Sequence, residues 1–163
     1  MRLLSDIRIL LLGLWLGAAC FFSFAVAPSA FGVLPSRELA GLVVNRTLAV
    51  INYSGFIVGL ILLASSYVLQ QRNVNRTKLL LERGLLLLLT AACAFGQFVI
   101  AAKLGDLRGQ IGRPIEELAT NDPLRAAFND WHGYSVTILT TAMIAAVAAF
   151  FLLVRRARNT TNS

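Results

Sequence analysis

Four apolar stretches, each near the length of a bilayer crossing, leave this chain few ways to fold. They cover residues 7–27, 47–70, 79–102 and 134–154. About 20 residues of helix, rising 1.5 Å each, match the ~30 Å of hydrocarbon in a bilayer. No water reaches backbone groups in that layer, so only helices and closed barrels cross it. The leucine-rich runs lack the alternating pattern of barrel strands. The expected fold is an all-α integral membrane protein, a four-transmembrane-helix bundle. One domain over residues 1–158 is expected, with helices at about 7–27, 36–70, 79–103 and 123–156 and a disordered tail over 159–163.

Composition agrees: of 163 residues 57% are hydrophobic, and mean hydropathy is +0.71. Water is the wrong solvent for most of such a chain. The net charge of +7 would suit a nucleic-acid partner, but the basic residues flank apolar runs and form no aromatic-interleaved stripe. The expected partner is the lipid bilayer, with no nucleic acid. Cys20 and Cys93 lie inside apolar runs without C-x-x-C or Cys/His spacing, so they read as buried free thiols. Arg2 and Arg8 before an apolar run ending in Ala25-Val26-Ala27 imitate a signal peptide. The stretch from Ile9 to Ala27 exceeds the usual ~7–15 residues of such a core, and a retained first helix is expected.

Lys and Arg near the spans set orientation. Arg2, Arg8, Arg72, Arg76, Lys78, Arg155, Arg156 and Arg158 lie on one side; Arg37, Arg46, Lys103, Arg108, Arg113 and Arg125 spread over longer connections on the other. Both termini are therefore expected in the cytoplasm, and a bacterial cytoplasmic membrane is the simplest location. Pro35-Ser36 marks the start of the second helix, and Gly112-Arg-Pro114 a turn. Asp122-Pro123 reads as a cap followed by proline at the first helical position.

Helices in lipid associate through small residues and interhelical hydrogen bonds. Gly13/Gly17, Gly55/Gly59, Ala92/Gly96 and Ala142/Ala146 supply one small-x-x-x-small pair per span. Polar residues also recur on helical faces. Glu38, Asn45, Asn52, Gly59 and Ser66 follow seven-residue steps on the second helix, as do Arg83, Thr90 and Gln97 on the third; Asp130, Tyr134, Thr137 and Thr141 share one face of the fourth. Three such seams facing one another would make a partly polar core. Asn45, Arg46, Asn52, Arg83, Gln97, His132, Tyr134 and Thr137 are the candidate ligand-binding residues, because polar groups at membrane depth are costly. Simpler roles compete: Arg46 and Lys103 as interfacial cations, Glu82 and Arg83 as anchors, with a Lys78–Glu82 pair at i, i+4.

Residues 129–134 are the densest in chemistry, with Asp130, Trp131, His132 and Tyr134 at one span boundary. An aromatic belt explains them most simply, while His132 is the one candidate metal or haem ligand. No phosphate-cradling glycine loop, H-E-x-x-H, dinucleotide fingerprint or G-x-S-x-G occurs. No catalytic residue, resident metal or cofactor is assigned, haem on His132 standing as the alternative.

Trp15-Leu-Gly17, Phe21-Phe22-Ser-Phe24, Ala27-Pro28-Ser-Ala-Phe31 and Leu34-Pro35 together resemble the opening of the transmembrane protein 205-like family, catalogued as domain of unknown function 4149. Asn45-Arg46, Asn52-Tyr-Ser-Gly55 and Phe128-Asn-Asp-Trp-His132-Gly-Tyr-Ser135 extend the resemblance over roughly residues 8–154. It implies a small four-helix membrane protein without an established activity. A more distant likeness joins the first helix to copper-resistance proteins of the CopD type and to haem-binding protoporphyrinogen oxidases. Those families use further membrane histidines that this chain lacks.

The expected function is non-enzymatic: handling of a small solute, or envelope stress tolerance, through a polar bundle interior. A homo-oligomer is an expected partner, since four spans make a slender transporter. The alternatives are a haem-associated oxidoreductase using His132 and a membrane scaffold or assembly subunit.

Overall fold

The apolar runs become helices, and the helices outrun them. A computed structural model describes residues 2–68 and 76–159. Its four long helices are α1 (Leu3–Val33), α2 (Arg37–Val68), α3 (Arg76–Ile111) and α4 (Pro123–Asn159), each long and apolar enough to cross a bilayer. Their ends follow local chemistry. Ser36 Oγ accepts from the Leu39 N–H at 3.2 Å to cap α2, and Asp122 Oδ1 accepts from the Leu124 N–H at 2.8 Å to cap α4. Gly112, at φ +62°, closes α3 in the left-handed conformation that glycine adopts most easily. The expected helical residues 69–70, the connection 71–75 and tail residues 160–163 lie outside the described residues. Asn159, expected in the tail, lies in α4.

Expectation and structure part at Pro28. The first apolar run ends at Ala27 and the first helix is expected to end with it, just before a proline, which lacks an N–H and crowds the carbonyl four residues before it. Instead α1 widens just upstream into a π-helical turn, Phe22–Val26, in which the Ala27 N–H reaches back to the Phe22 carbonyl. The α-helix then resumes over Ala27–Val33. A second π turn, Gly96–Ile100, interrupts α3 without a proline.

Buried residues repeat at alternating steps of three and four, the heptad spacing of packed helix seams. In α1 they are Arg8, Leu12, Trp15, Ala19 and Phe22, and in α2 Asn52, Gly55, Gly59, Leu62 and Ser66. In α4 they are Ser135, Leu139, Ala142, Ala146, Ala149 and Leu153. Each π turn slips this phase by one residue: Phe22 is followed by Ala30, and Ile100 by Leu104. Leu104 therefore turns inward and Lys103 outward.

The helices form a ring in which α1 packs on α2 and α4, and α3 packs on α2 and α4. The chain runs up and down, so residues 8, 62, 82 and 156 meet at the end carrying both termini. The main core centres on Leu12, Trp15, Leu62, Leu86 and Leu89. A smaller cluster of Ile100, Leu104, Leu107 and Phe128 packs α3 on α4 at the opposite, distal end. Outward faces carry exposed Leu, Ile and Phe throughout, a surface suited to hydrocarbon.

Three of the four small-residue pairs are buried as expected: Gly55/Gly59, Ala92/Gly96 and Ala142/Ala146. The first helix departs. Gly17 is exposed with nothing within 4 Å of an added Cβ, because α1 puts an indole at its interface instead. Trp15 Nε1 donates to the Ile51 carbonyl at 3.0 Å, and Gly55 leaves room for the ring. A Cβ on Gly55 would lie 2.6 Å from Cys93 Sγ and against the indole, and one on Gly59 would collide with Thr90 Oγ1.

Overpacking of this kind costs ~1–3 kcal/mol. Gly55→Ala and Gly59→Ala should each lower unfolding stability in mixed micelles by that order. Gly17→Ala should leave it unchanged or raise it by ~0.5–1 kcal/mol, the helical advantage of alanine over glycine.

Candidate functional site

The strongest electrostatic feature lies at the termini end. Arg8 shares the heptad face of Trp15 and Phe22, so it points into the bundle rather than toward the interface. Its Nη2 lies 2.6 Å from Glu82 Oε1, and Arg156 Nη1 lies 3.2 Å from Glu82 Oε2. The Arg8 and Glu82 side chains are each 3% exposed. Arg8 Nη2 also donates to the Leu62 carbonyl at 3.3 Å, so one ionic cluster touches all four helices. Glu82, expected to turn out toward the interface beside Lys78, is instead gripped from α1 and α4. By position alone Arg8 is a flanking cation; its seven-residue spacing from Trp15 is the signal in the sequence that it faces inward.

From this cluster a polar seam runs between α2 and α3. Arg83 donates through Nε to Ser66 Oγ at 3.2 Å and through Nη2 to the Ser66 carbonyl at 3.0 Å, and its guanidinium lies 3.9 Å from the Tyr67 ring centre. Gly59 faces Thr90, whose hydroxyl donates to the Leu86 carbonyl at 2.7 Å. Asn52 is buried against Gly96. Steps of seven along α2 thus meet steps of seven and six in the opposite direction along α3, so two of the three expected seams face each other, with Gly96 in place of the expected Gln97 opposite Asn52. Buried Leu86, Leu89 and Cys93 separate the rungs along α3, so the seam is a ladder of polar points.

The third seam faces away. Asp130, Tyr134 and Thr137 are exposed on α4. Thr137 and Thr141 return their hydroxyls to the carbonyls of Gly133 and Thr137, at 3.0 and 2.9 Å. The inner face belongs to Ser135, Leu139 and Ala142, where small groups allow close approach. Trp131 and Tyr134 meet edge to face, centroids 5.7 Å apart, as an aromatic belt would. His132 is exposed between exposed Asp130 and Gly133. An imidazole on the outside of one helix does not fit an enclosed haem, and no group of three His, Cys, Asp or Glu among the described residues is placed to hold a metal.

At the distal end the seam widens into an open cleft of about 440 Å³ between α2 and α3. Asn45, Arg46 and Tyr53 line it from α2; Gln97 and Phe98 line it from the π turn of α3. The hollow exists because Ala49, Ala101 and Ala102 stand where larger side chains would fill it. Phe98 packs edge-on against Tyr53 and Phe56, at 5.9 and 6.0 Å. Gln97 Oε1 is buried with no hydrogen-bond partner, and Arg46 is exposed with no ion pair among the described residues. Of the eight expected site residues, the fold gathers Asn45, Arg46 and Gln97 here and sets Asn52 one rung away. Arg83 is committed to Ser66 and Tyr67, while His132, Tyr134 and Thr137 lie exposed on α4.

These features define a small up-and-down helical bundle with four membrane-length spans, ionically tied at one end and cleft at the other. The chain belongs to the family described as Domain of unknown function (DUF4149), which residues 10–112 match. It is also similar to an uncharacterized protein of Aquifex aeolicus, 32% identical over 150 residues, covering 92% of this chain and 96% of that one. No solved structure matches it. The family match ends at Gly112, so it includes the cleft and Glu82 but not Arg156.

Removing one partner of a buried ion pair costs ~3–5 kcal/mol, since the other charge stays buried. Glu82→Gln should destabilise the protein by that order in micellar unfolding. In the double variant Arg8→Met/Glu82→Met the loss should fall short of the summed single losses by more than ~1 kcal/mol, the signature of direct coupling.

Proposed function

We propose that this protein is a non-enzymatic multi-pass protein of the cytoplasmic membrane that binds a small polar solute in the α2–α3 cleft. The observation that carries the reading is an open cleft lined by Arg46, which has no ion pair among the described residues, and by Gln97, whose Oε1 is buried just beneath it without a hydrogen-bond partner. An unsatisfied buried acceptor costs ~1–3 kcal/mol, and a ligand bearing an N–H or O–H donor recovers it once the Gln97 carboxamide turns into the cleft. The free guanidinium offers a fork of donors for a carboxylate or phosphate. A ligand with both an anionic group and a donor fits this pair. A π turn at the site adds support, since such turns recur where a helix is shaped for function.

Position also supports it. Arg46 directly precedes the apolar run of α2 and Lys103 directly follows that of α3, so the cleft sits at a membrane boundary. By the positive-inside rule both termini are cytoplasmic, which makes this the outer boundary. Solute capture there suits a role in envelope tolerance better than passage through the bundle, because buried leucines interrupt the polar seam.

The test is equilibrium binding of phosphate- and carboxylate-bearing solutes to the purified protein, followed by native mass or thermal shift. Arg46→Ala should weaken the best ligand at least about tenfold, the loss of one charge-assisted hydrogen bond. His132→Ala and Thr137→Ala should bind as the parent does. Equal binding by Arg46→Ala and the parent overturns the reading.

A further inference from the structure

The cleft has a property that a site for a freely dissolved solute does not need: it opens sideways. Tyr53 and Phe98 line it and are 46% and 56% exposed on the outer face of the bundle. From Tyr53 toward the termini end, Ile57 and Leu60 continue at i+4 and i+7 on the same face of α2, both exposed. From Phe98, exposed Phe95 continues one turn back along α3. A polar hollow at the boundary thus leads into an apolar track running toward the membrane centre. A molecule filling both has a charged head and a hydrocarbon tail.

The head can be specified further. Arg46 supplies donors and a positive charge, and so takes a phosphate. Gln97 Oε1, buried beneath the cleft floor and without a partner, is an acceptor only, and takes a donor when its carboxamide turns toward the ligand. Tyr53 and Phe98 supply π systems, which attract a cation. Phosphate and ammonium in one short headgroup meet all three demands. A choline headgroup carries the charge but no N–H, and a glycerol headgroup carries O–H donors but no cation.

We propose that the cleft binds a membrane phospholipid with a phosphoethanolamine headgroup, its phosphate on Arg46, its ammonium on Gln97 Oε1, and an acyl chain along Tyr53, Ile57 and Leu60. The inference rests on the cleft being a ligand site, as proposed above, and names the ligand class. The bound molecule is a constituent of the bilayer, so the protein reads the composition of the leaflet around it.

The experiment reconstitutes the full chain in nanodiscs holding equal parts of ethanolamine, choline and glycerol phospholipids with identical acyl chains. Native mass spectrometry then counts the lipids retained on the released protein. One ethanolamine lipid per chain is expected, enriched about tenfold over choline lipid, as for one hydrogen bond to a charged group. Gln97→Ala should bring that ratio near one, and Arg46→Ala should reduce retention of all three lipids. Arg46→Lys should restore part of it, and circular dichroism with thermal melting checks that each variant folds. Equal retention of ethanolamine and choline lipids by the parent overturns the proposal, as does an enrichment that survives both alanine variants. Soluble O-phosphoethanolamine, titrated in parallel in detergent, separates the two levels of inference. If it binds through Arg46 while lipids do not, the site stands and the lipid assignment falls. If neither binds, both fall.

Discussion

The ion cluster of Arg8, Glu82 and Arg156 is the constraint on which the arrangement of this bundle depends. Apolar helices in hydrocarbon have little reason to prefer one neighbour or register over another, because lipid tails solvate leucine as well as leucine does. A guanidinium facing inward near the start of α1 changes that, since it has to meet a carboxylate at matching depth. Glu82 provides it from α3, Arg156 caps the other oxygen from α4, and the Leu62 carbonyl of α2 takes a remaining donor. Such a cluster adds little net stability over a well-packed apolar substitute. What it fixes is identity: which helix ends meet, and at what height. The ladder of Ser66/Arg83, Gly59/Thr90 and Asn52/Gly96 then extends that register to the distal end.

Trp15 is the second fixed point. Its indole bonds the Ile51 backbone and occupies the hollow left by Gly55, so α1 is keyed to α2 at mid-height. Below it lies the ionic end; above it the helices loosen into the α2–α3 cleft. The same bundle is thus overdetermined at one end and, at the other, packed between α3 and α4 but cleft between α2 and α3, where Arg46 and Gln97 Oε1 have no partner among the described residues. An open cleft of this kind is tolerated because the opposite end holds the bundle together.

Much of this was legible in the residues. Span number, the Ser36 and Asp122 caps, the turn at Gly112 and the seven-residue seams on α2 and α3 follow from periodicity and capping chemistry that act locally. Asn45, Arg46 and Gln97 were legible as candidates because polar groups stand out in apolar runs. Two kinds of fact were not legible. One is which face of a helix turns inward when both are plausible: on α4 the threonines and Tyr134 lost to serine and alanine, because close approach outweighed polarity whose hydroxyls could bond their own helix. The other is non-local pairing, as with Arg8 and Glu82, whose separation of 74 residues hides a contact that only the folded ring creates. The end of the first helix was hidden for a related reason, since the wider turn that carries it past Pro28 leaves no mark in composition.

Those wider turns have a consequence for how the molecule can vary. Each adds one residue to a helix that otherwise keeps strict seven-residue time, so the segments before and after it are wound to separate phases. In α3 the boundary falls between the ionic, tightly registered half and the half that shapes the cleft. Residues beyond Gly96 answer to the cluster around Leu104, Leu107 and Phe128, and those before it to Glu82, Leu86 and Leu89. One helix therefore serves two masters, and the distal half that shapes the cleft can be remodelled over generations without retuning the half that gives the bundle its form.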